Sequence, residues 1–183
     1  HIATQLQRLL KYFPCVVLTG VRQCGKTTLL REQLPVWRHF DMESLADRQQ
    51  VLSDPDLFLR LHPEQVVIDE AQLAPPVFPA LRVAIDRDRS RKGRFVLSGS
   101  SSPELVRQIS ETLAGRVARL EMAPLTLAEA WGRPPSPLYR LLAEGADAAA
   151  LSSGLLPGVS ALQVQKYWFG GGYPEPWQEA DEA

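Results

Sequence analysis

Gly20-Val21-Arg22-Gln23-Cys24-Gly25-Lys26-Thr27 places two glycines, a lysine and a threonine at the spacing G-x-x-x-x-G-K-[ST]. Such a run can bind phosphate. Glycines let the backbone turn so that successive N–H groups, through to Thr28, converge on phosphate oxygens. A helix opening at the end of the loop adds its positive terminus. Lys26 can reach the β- and γ-phosphates of a nucleoside triphosphate, and the Thr27 hydroxyl can ligate Mg²⁺. Further along, Val66-Val67-Ile68-Asp69-Glu70 is an apolar run ending in two carboxylates. Asp69 can hold Mg²⁺ opposite Thr27, and Glu70 can polarise a water for attack on the γ-phosphate. Two adjacent acids favour hydrolysis over transfer to an organic acceptor.

Other candidates have weaker signals. Phe95-Val96-Leu97-Ser98-Gly99-Ser100-Ser101 is an apolar run ending in hydroxyls, and either Ser98 or Ser100 could sense the γ-phosphate. Ser102, followed by Pro103, reads as a helix cap instead. Arg116 could neutralise charge at its own or a neighbour's nucleotide, although alone it reads as a surface residue. Gln72 could position Glu70 or a water, and Arg22 could touch phosphate or a neighbour. Arg82, Arg87, Arg89, Arg91, Lys92 and Arg94 outnumber Asp86 and Asp88. They could meet a nucleic-acid backbone or an acidic partner. No aromatic is interleaved, so a solvated helix and loop is the favoured reading.

The elements that must position these residues follow from periodicity and breakers. Ile2, Leu6, Leu9, Leu10 and Phe13 predict an amphipathic helix over 2–12, stopped near Pro14. Strands are expected at Cys15–Thr19, Trp37–Asp41, Val66–Asp69, Phe95–Ser98 and Val117–Met122. Helices are expected at Thr27–Leu34, in two pieces across 44–62 broken at Asp54-Pro55, after Pro75-Pro76, and after Ser102. Short apolar strands alternating with helices indicate α/β architecture, a parallel sheet covered on both faces. After about residue 123 the pattern weakens. Residues 143–161 are rich in Ala, Gly and Ser, and aromatics then crowd between Tyr167 and Trp177. The expected division is a core over 1–131, a helical linker over 132–160, and the start of a cut-short further domain over 161–183.

Composition narrows the classes. The 183 residues carry a net charge of −1, so no global field draws the chain to nucleic acid or an anionic membrane. Cys15 and Cys24 make no disulfide framework, and His1, His39 and His62 form no zinc pattern with them. No apolar run is long enough to cross a bilayer, and the expectation is a reducing, cytoplasmic setting without membrane contact. His1 stands where a Met would start a chain, so the sequence reads as a fragment.

The ordered set of motifs resembles the predicted AAA+ ATPases of bacteria and archaea. It comprises Gly20–Thr27, Phe40-Asp41-Met42-Glu43, Asp54-Pro55, Val67-Ile68-Asp69-Glu70-Ala71-Gln72, Phe95–Ser101, Leu113–Val117, Ala123-Pro124-Leu125 with Glu129, and Gly171-Gly172-Tyr173-Pro174-Glu175. The likeness covers residues 2–131 well. It implies a three-layer α/β/α P-loop NTPase core of RecA-like or AAA+ type around a parallel sheet, with Mg-ATP as cofactor, and it raises Arg116 to an arginine finger or second sensor, with self-association if that residue acts in trans. It also implies a C-terminal domain of which this chain lacks most. Val21 and Cys24 stand where relatives often have Pro and Val, and Cys24 puts an oxidisable thiol beside the phosphates. The leading reading is ATP hydrolysis coupled to conformational change. The alternatives are a slow-turnover nucleotide-dependent switch or adaptor, with association with DNA as one option, and a small-molecule kinase with the 86–94 segment as lid.

Overall fold

In the computed structural model, which describes residues 2–134, 136–154 and 158–179, five short strands pair into one sheet. His1, Pro135, and the stretches 155–157 and 180–183 of the expected linker and final segment lie outside the described residues. The strands are β1 (Cys15–Gly20), β2 (Arg38–Asp41), β3 (Val66–Asp69), β4 (Phe95–Ser100) and β5 (Val117–Met122), all parallel, in the order β2-β3-β4-β1-β5. The helices around them are α1 (Ile2–Tyr12), α2 (Lys26–Gln33), α3 (Leu45–Ser53), α4 (Pro55–Leu61), α5 (Val77–Arg87) and α6 (Pro103–Thr112).

Period-2 alternation sends neighbouring side chains to opposite faces. Val17, Ile68, Phe95 and Leu97 are buried in one cluster with Phe78 and Leu81 of α5 and Leu105 of α6. Val16, Leu18, Val67 and Val96 are buried in the other with Leu6 and Leu10 of α1 and Leu30 of α2. Both faces are covered, as uninterrupted apolar strands require. Each fully buried Leu or Phe contributes about 1.5–3 kcal/mol relative to exposure.

Side-chain caps fix where the helices begin. Ser44 accepts from Asp47 N, Asp54 from Leu57 N at 2.8 Å, and Ser102 from Leu105 N at 3.3 Å. These caps satisfy backbone donors that have no partner within the helix. Strand pairing then sets the site. Gly20 lies opposite Ser100, Asp41 opposite Asp69, and Ile68 opposite Leu97. The C-terminal ends of β1 to β4 therefore share one edge, and in an open parallel sheet that edge is the ligand crevice.

The chain divides into two compact units, His1–Ala123 and Pro124–Ala183. The second holds α7 (Leu127–Ala130), α8 (Leu138–Ala143), α9 (Ala148–Gly154), α10 (Ala161–Gly170) and α11 (Glu175–Glu179). Within it, Leu125 N donates to Gly172 O at 2.7 Å and Tyr167 Oη donates to Leu125 O at 2.8 Å. Trp131 meets Trp177 edge-on at 5.1 Å, with Lys166 Nζ 5.5 Å from the Trp131 ring. Trp168 and Phe169 instead stand exposed at 77% and 94%. The aromatics between Tyr167 and Trp177 are thus split between partly buried and exposed members.

Candidate functional site

Gly25 caps α2 at φ 95°, a left-handed conformation natural to glycine. With Gln23 also at positive φ, the loop curls back after β1 and delivers Lys26 and Thr27 to the first turn of α2. Val21, Arg22, Gln23, Thr27 and Thr28 are exposed, whereas Cys24 and Lys26 are buried. Lys26 Nζ donates to Val21 O at 2.9 Å and Gly20 O at 3.3 Å. Among the described residues Lys26 has no carboxylate partner. The ammonium is held by neutral dipoles inside the loop.

Asp69 closes β3 with 7% exposure. Its Oδ2 accepts from Thr27 Oγ1 at 2.5 Å. Its Oδ1 accepts from Ser98 Oγ and, at 3.1 Å, from Glu70 N. Three donors from three elements thus satisfy a buried carboxylate without any cation, as burial of a charge demands. Ser98 is fully buried, and its hydroxyl is committed to Asp69. Ser100, two residues on and half-buried, lies at the mouth opposite Gly20.

Glu70 turns away from the strand at φ 51°, ψ 46°, and opens a 3₁₀ turn over Ala71–Leu73. Its Oε2 accepts from Gln72 Nε2. Arg22, Gln23, Glu43 and Glu70 line a polar cavity of about 400 Å³ beside the loop. Arg22 reaches Glu43 at 3.6 Å, a surface pair worth little by itself. A smaller cavity, about 230 Å³, lies among Arg60, Arg87 and Arg94 with Asp56 and Asp88, and its charges largely cancel.

The structure therefore brings together Gly20 to Thr28, Asp69, Glu70, Ser98 and Ser100. It does not bring Arg116 to them. Arg116 precedes β5, whose Val117 pairs with Cys15 at the opposite end of β1. Five residues of strand separate that end from Gly20, about 17 Å. There Arg116 grips Asp86 of α5 in a fork of 2.9 and 2.8 Å and donates to Ala114 O. This guanidinium, more than desolvation opposes it, pulls the Asp86 pKa down to about 2.

Cys24 is 1% exposed and turns its thiol onto Met122 O at 3.7 Å, so the loop shields it. The basic segment is largely engaged within the protein. Arg89 binds Asp86, Arg91 binds Glu64, and Arg94 donates to Pro63 O and Ala84 O. Sequence reasoning missed Gly99 as a site residue. A glycine between two strand serines was the available signal.

Among the described residues no group of three or more His, Cys, Asp or Glu gathers as a metal cage. One carboxylate and one hydroxyl 2.5 Å apart beside a phosphate loop suit Mg²⁺, which takes few protein oxygens and completes its shell with water and phosphate. The site fits that ion. Among the described residues no helix is long and apolar enough to cross a membrane.

The site can be set beside known proteins. Over 128 residues the chain is 45% identical to an uncharacterized protein of Mycobacterium tuberculosis, and equally to one of Mycobacterium bovis. Each match covers 68% of this chain and 28% of the relative, so the chain spans little more than a quarter of the relatives' length. A Walker-type ATPase of Pyrococcus abyssi has the same fold, with TM-score 0.53 at 18% identity over 97% of this chain and 69% of that one. The model of the AAA domain family matches residues 12–131, from the end of α1 through β5 to Trp131. With its five-stranded parallel sheet and phosphate loop, the chain belongs to the AAA domain family of P-loop ATPases.

Proposed function

We propose that the chain binds Mg-ATP and hydrolyses it, and that the cycle drives a conformational change. The supporting observation is the Asp69 carboxylate, which joins Thr27 of the phosphate loop to Ser98 of β4 beside Glu70. Loop N–H groups and Lys26 bind the triphosphate. A phosphate oxygen displaces the Gly20 and Val21 carbonyls from Lys26, because an ammonium–anion bond outcompetes an ammonium–carbonyl one. Mg²⁺, when bound, would supply positive charge against the triphosphate. Thr27 and Asp69 hold that ion. Glu70 accepts the proton of the attacking water. Ser100 senses the γ-phosphate, since the Ser98 hydroxyl is taken by Asp69.

Arg116 lies too far from its own loop to act in cis, so its role at a nucleotide requires a second copy. The core over 1–131 carries this chemistry, with 132–160 as a helical extension and 161–183 as the start of a further domain. Buried free thiols at Cys15 and Cys24 support a reducing, cytoplasmic setting.

The test is ATP binding and phosphate release by the wild type, Lys26→Ala and Glu70→Gln. The expected outcome is that Lys26→Ala loses binding, whereas Glu70→Gln binds and releases about a hundredfold less phosphate. Wild-type binding with no release at any protein concentration rejects the hydrolase and favours the nucleotide switch. Absence of binding rejects both.

A further inference from the structure

We propose that Gln72 is a positioning residue for Glu70 and that Gly99 is glycine to make room for it. This rests on the reading of Glu70 as the base that activates water.

Glu70 is one of the few non-glycine residues at positive φ, a conformation tolerated where surrounding structure imposes it. The turn that follows brings Gln72 back to its carboxylate, and Gln72 Nε2 donates to Glu70 Oε2. The carboxamide can sit only this way round. Flipped, its carbonyl would face a carboxylate. Glu70 Oε1 has no protein donor among the described residues and is left to accept a proton.

The other end of the carboxamide is seated in the sheet. Gln72 Oε1 is buried and has no hydrogen-bond donor. It lies against Gly99 of β4, and a Cβ at position 99 would overlap it and come within 2.7 Å of Leu105 Cδ2. Three locally unfavourable choices therefore coincide: a left-handed glutamate, an orphaned buried acceptor and a glycine inside a strand. An apolar residue at 72 would remove the orphan and pack equally well. What it would lose is the bond to Glu70. The geometry thus serves the placement of that carboxylate rather than packing.

Gln72→Met separates the two roles, because it keeps the length and removes both the donor and the orphan. The expected result is phosphate release with kcat reduced about tenfold to a hundredfold. ATP affinity should stay within about twofold, and the melting temperature should be level or higher. Gly99→Ala, which displaces the carboxamide, should reproduce the kcat loss while keeping ATP affinity. In a Glu70→Gln background, adding Gln72→Met should change the residual rate less than about twofold, since the two residues act as a unit.

Unchanged kcat in Gln72→Met overturns the proposal. So does an equal fold-loss in the Glu70→Gln background, or a fall in melting temperature with weakened ATP binding, either of which assigns Gln72 to packing. No phosphate release by the wild type rejects the hydrolytic reading itself and this inference with it. Wild-type turnover that Gln72→Met leaves untouched rejects this inference alone.

Discussion

Among the described residues, the C-terminal ends of the strands leave Lys26 without a counter-ion, whereas the N-terminal ends pair Arg116 with Asp86. At the C-terminal end Lys26 is buried against the carbonyls of Gly20 and Val21, and Asp69 is buried against hydroxyls and an N–H. These two buried charges are met only by neutral dipoles. At the N-terminal end Arg116 and Arg89 share Asp86, and Arg94 donates to Pro63 O and Ala84 O beside the Phe95 ring. There Arg116 meets an opposite charge in a fork, while Arg94, like Lys26, is held by carbonyls. A charge held by dipoles alone keeps most of its attraction for an incoming ion, whereas a forked ion pair has little left to give. The difference separates an end built to take a ligand from an end built to hold helices to the sheet.

The largest test of this contrast is Lys26→Ala. It should weaken ATP binding at least about a hundredfold, roughly 2.7 kcal/mol, with little change in melting temperature. Calorimetric titration with Mg-ATP reads it. If Arg116→Ala weakened binding by the molecule's own loop as much, the two ends would not differ as described. The mirror-image test is Arg94→Leu. Arg94 is only 6% exposed, and its loss leaves two backbone carbonyls without their donors. Urea unfolding should show a loss of about 1–3 kcal/mol, with ATP affinity retained. A variant that stays stable but binds ATP poorly would reverse the assignment.

A smaller effect separates the two serines. Ser98→Ala removes one donor from Asp69, so the Mg²⁺ dependence of turnover should shift about tenfold to higher concentration, about 1.4 kcal/mol. Ser100→Ala should slow release without that shift. The reverse pattern would make Ser98 the sensor.

That these serines needed a structure shows what a sequence can carry. Lys26, Thr27 and Asp69 are legible because their chemistry is tied to fixed spacing and to apolar runs, which also mark β1 and β3. The α1 stripe, the Asp54-Pro55 break and the Ser102 cap are legible because each is a local backbone preference. Ser98 and Ser100 share one face of β4 by period 2, and only the register with Asp69 tells which is occupied. Arg116 follows a helix in sequence, but which end of the sheet it occupies depends on β5 running parallel to β1. The Gln72 seat depends on Gly99, distant along the chain. In the second unit, α9 forms from Ala-, Gly- and Ser-rich sequence with little periodicity to announce it. The capping box at Thr126 and Glu129 was readable and marks α7.

The smallest effect concerns the pair that defines the N-terminal end. The Arg116 hydrogen bonds hold Asp86 at about 2, below the usual 3.8, with Arg89 adding to the shift and desolvation opposing it. A carboxylate whose folded pKa is depressed stabilises the fold above its unfolded pKa and stops doing so as pH falls through the folded value. Asp86→Asn should therefore lower the melting temperature near neutral pH, and its gap to wild type should narrow as pH falls from about 4 toward 2. Both side chains are partly exposed, so the gap should also shrink in high salt. Arg116→Ala should produce the same loss, and the double variant should add little, since either change breaks the same fork. A gap that persists unchanged to pH 2 would mean that Asp86 acts through packing. If Arg116→Ala also lowered turnover, and did so only at protein concentrations where copies associate, the fork would be a resting place for a residue that completes a neighbour's site.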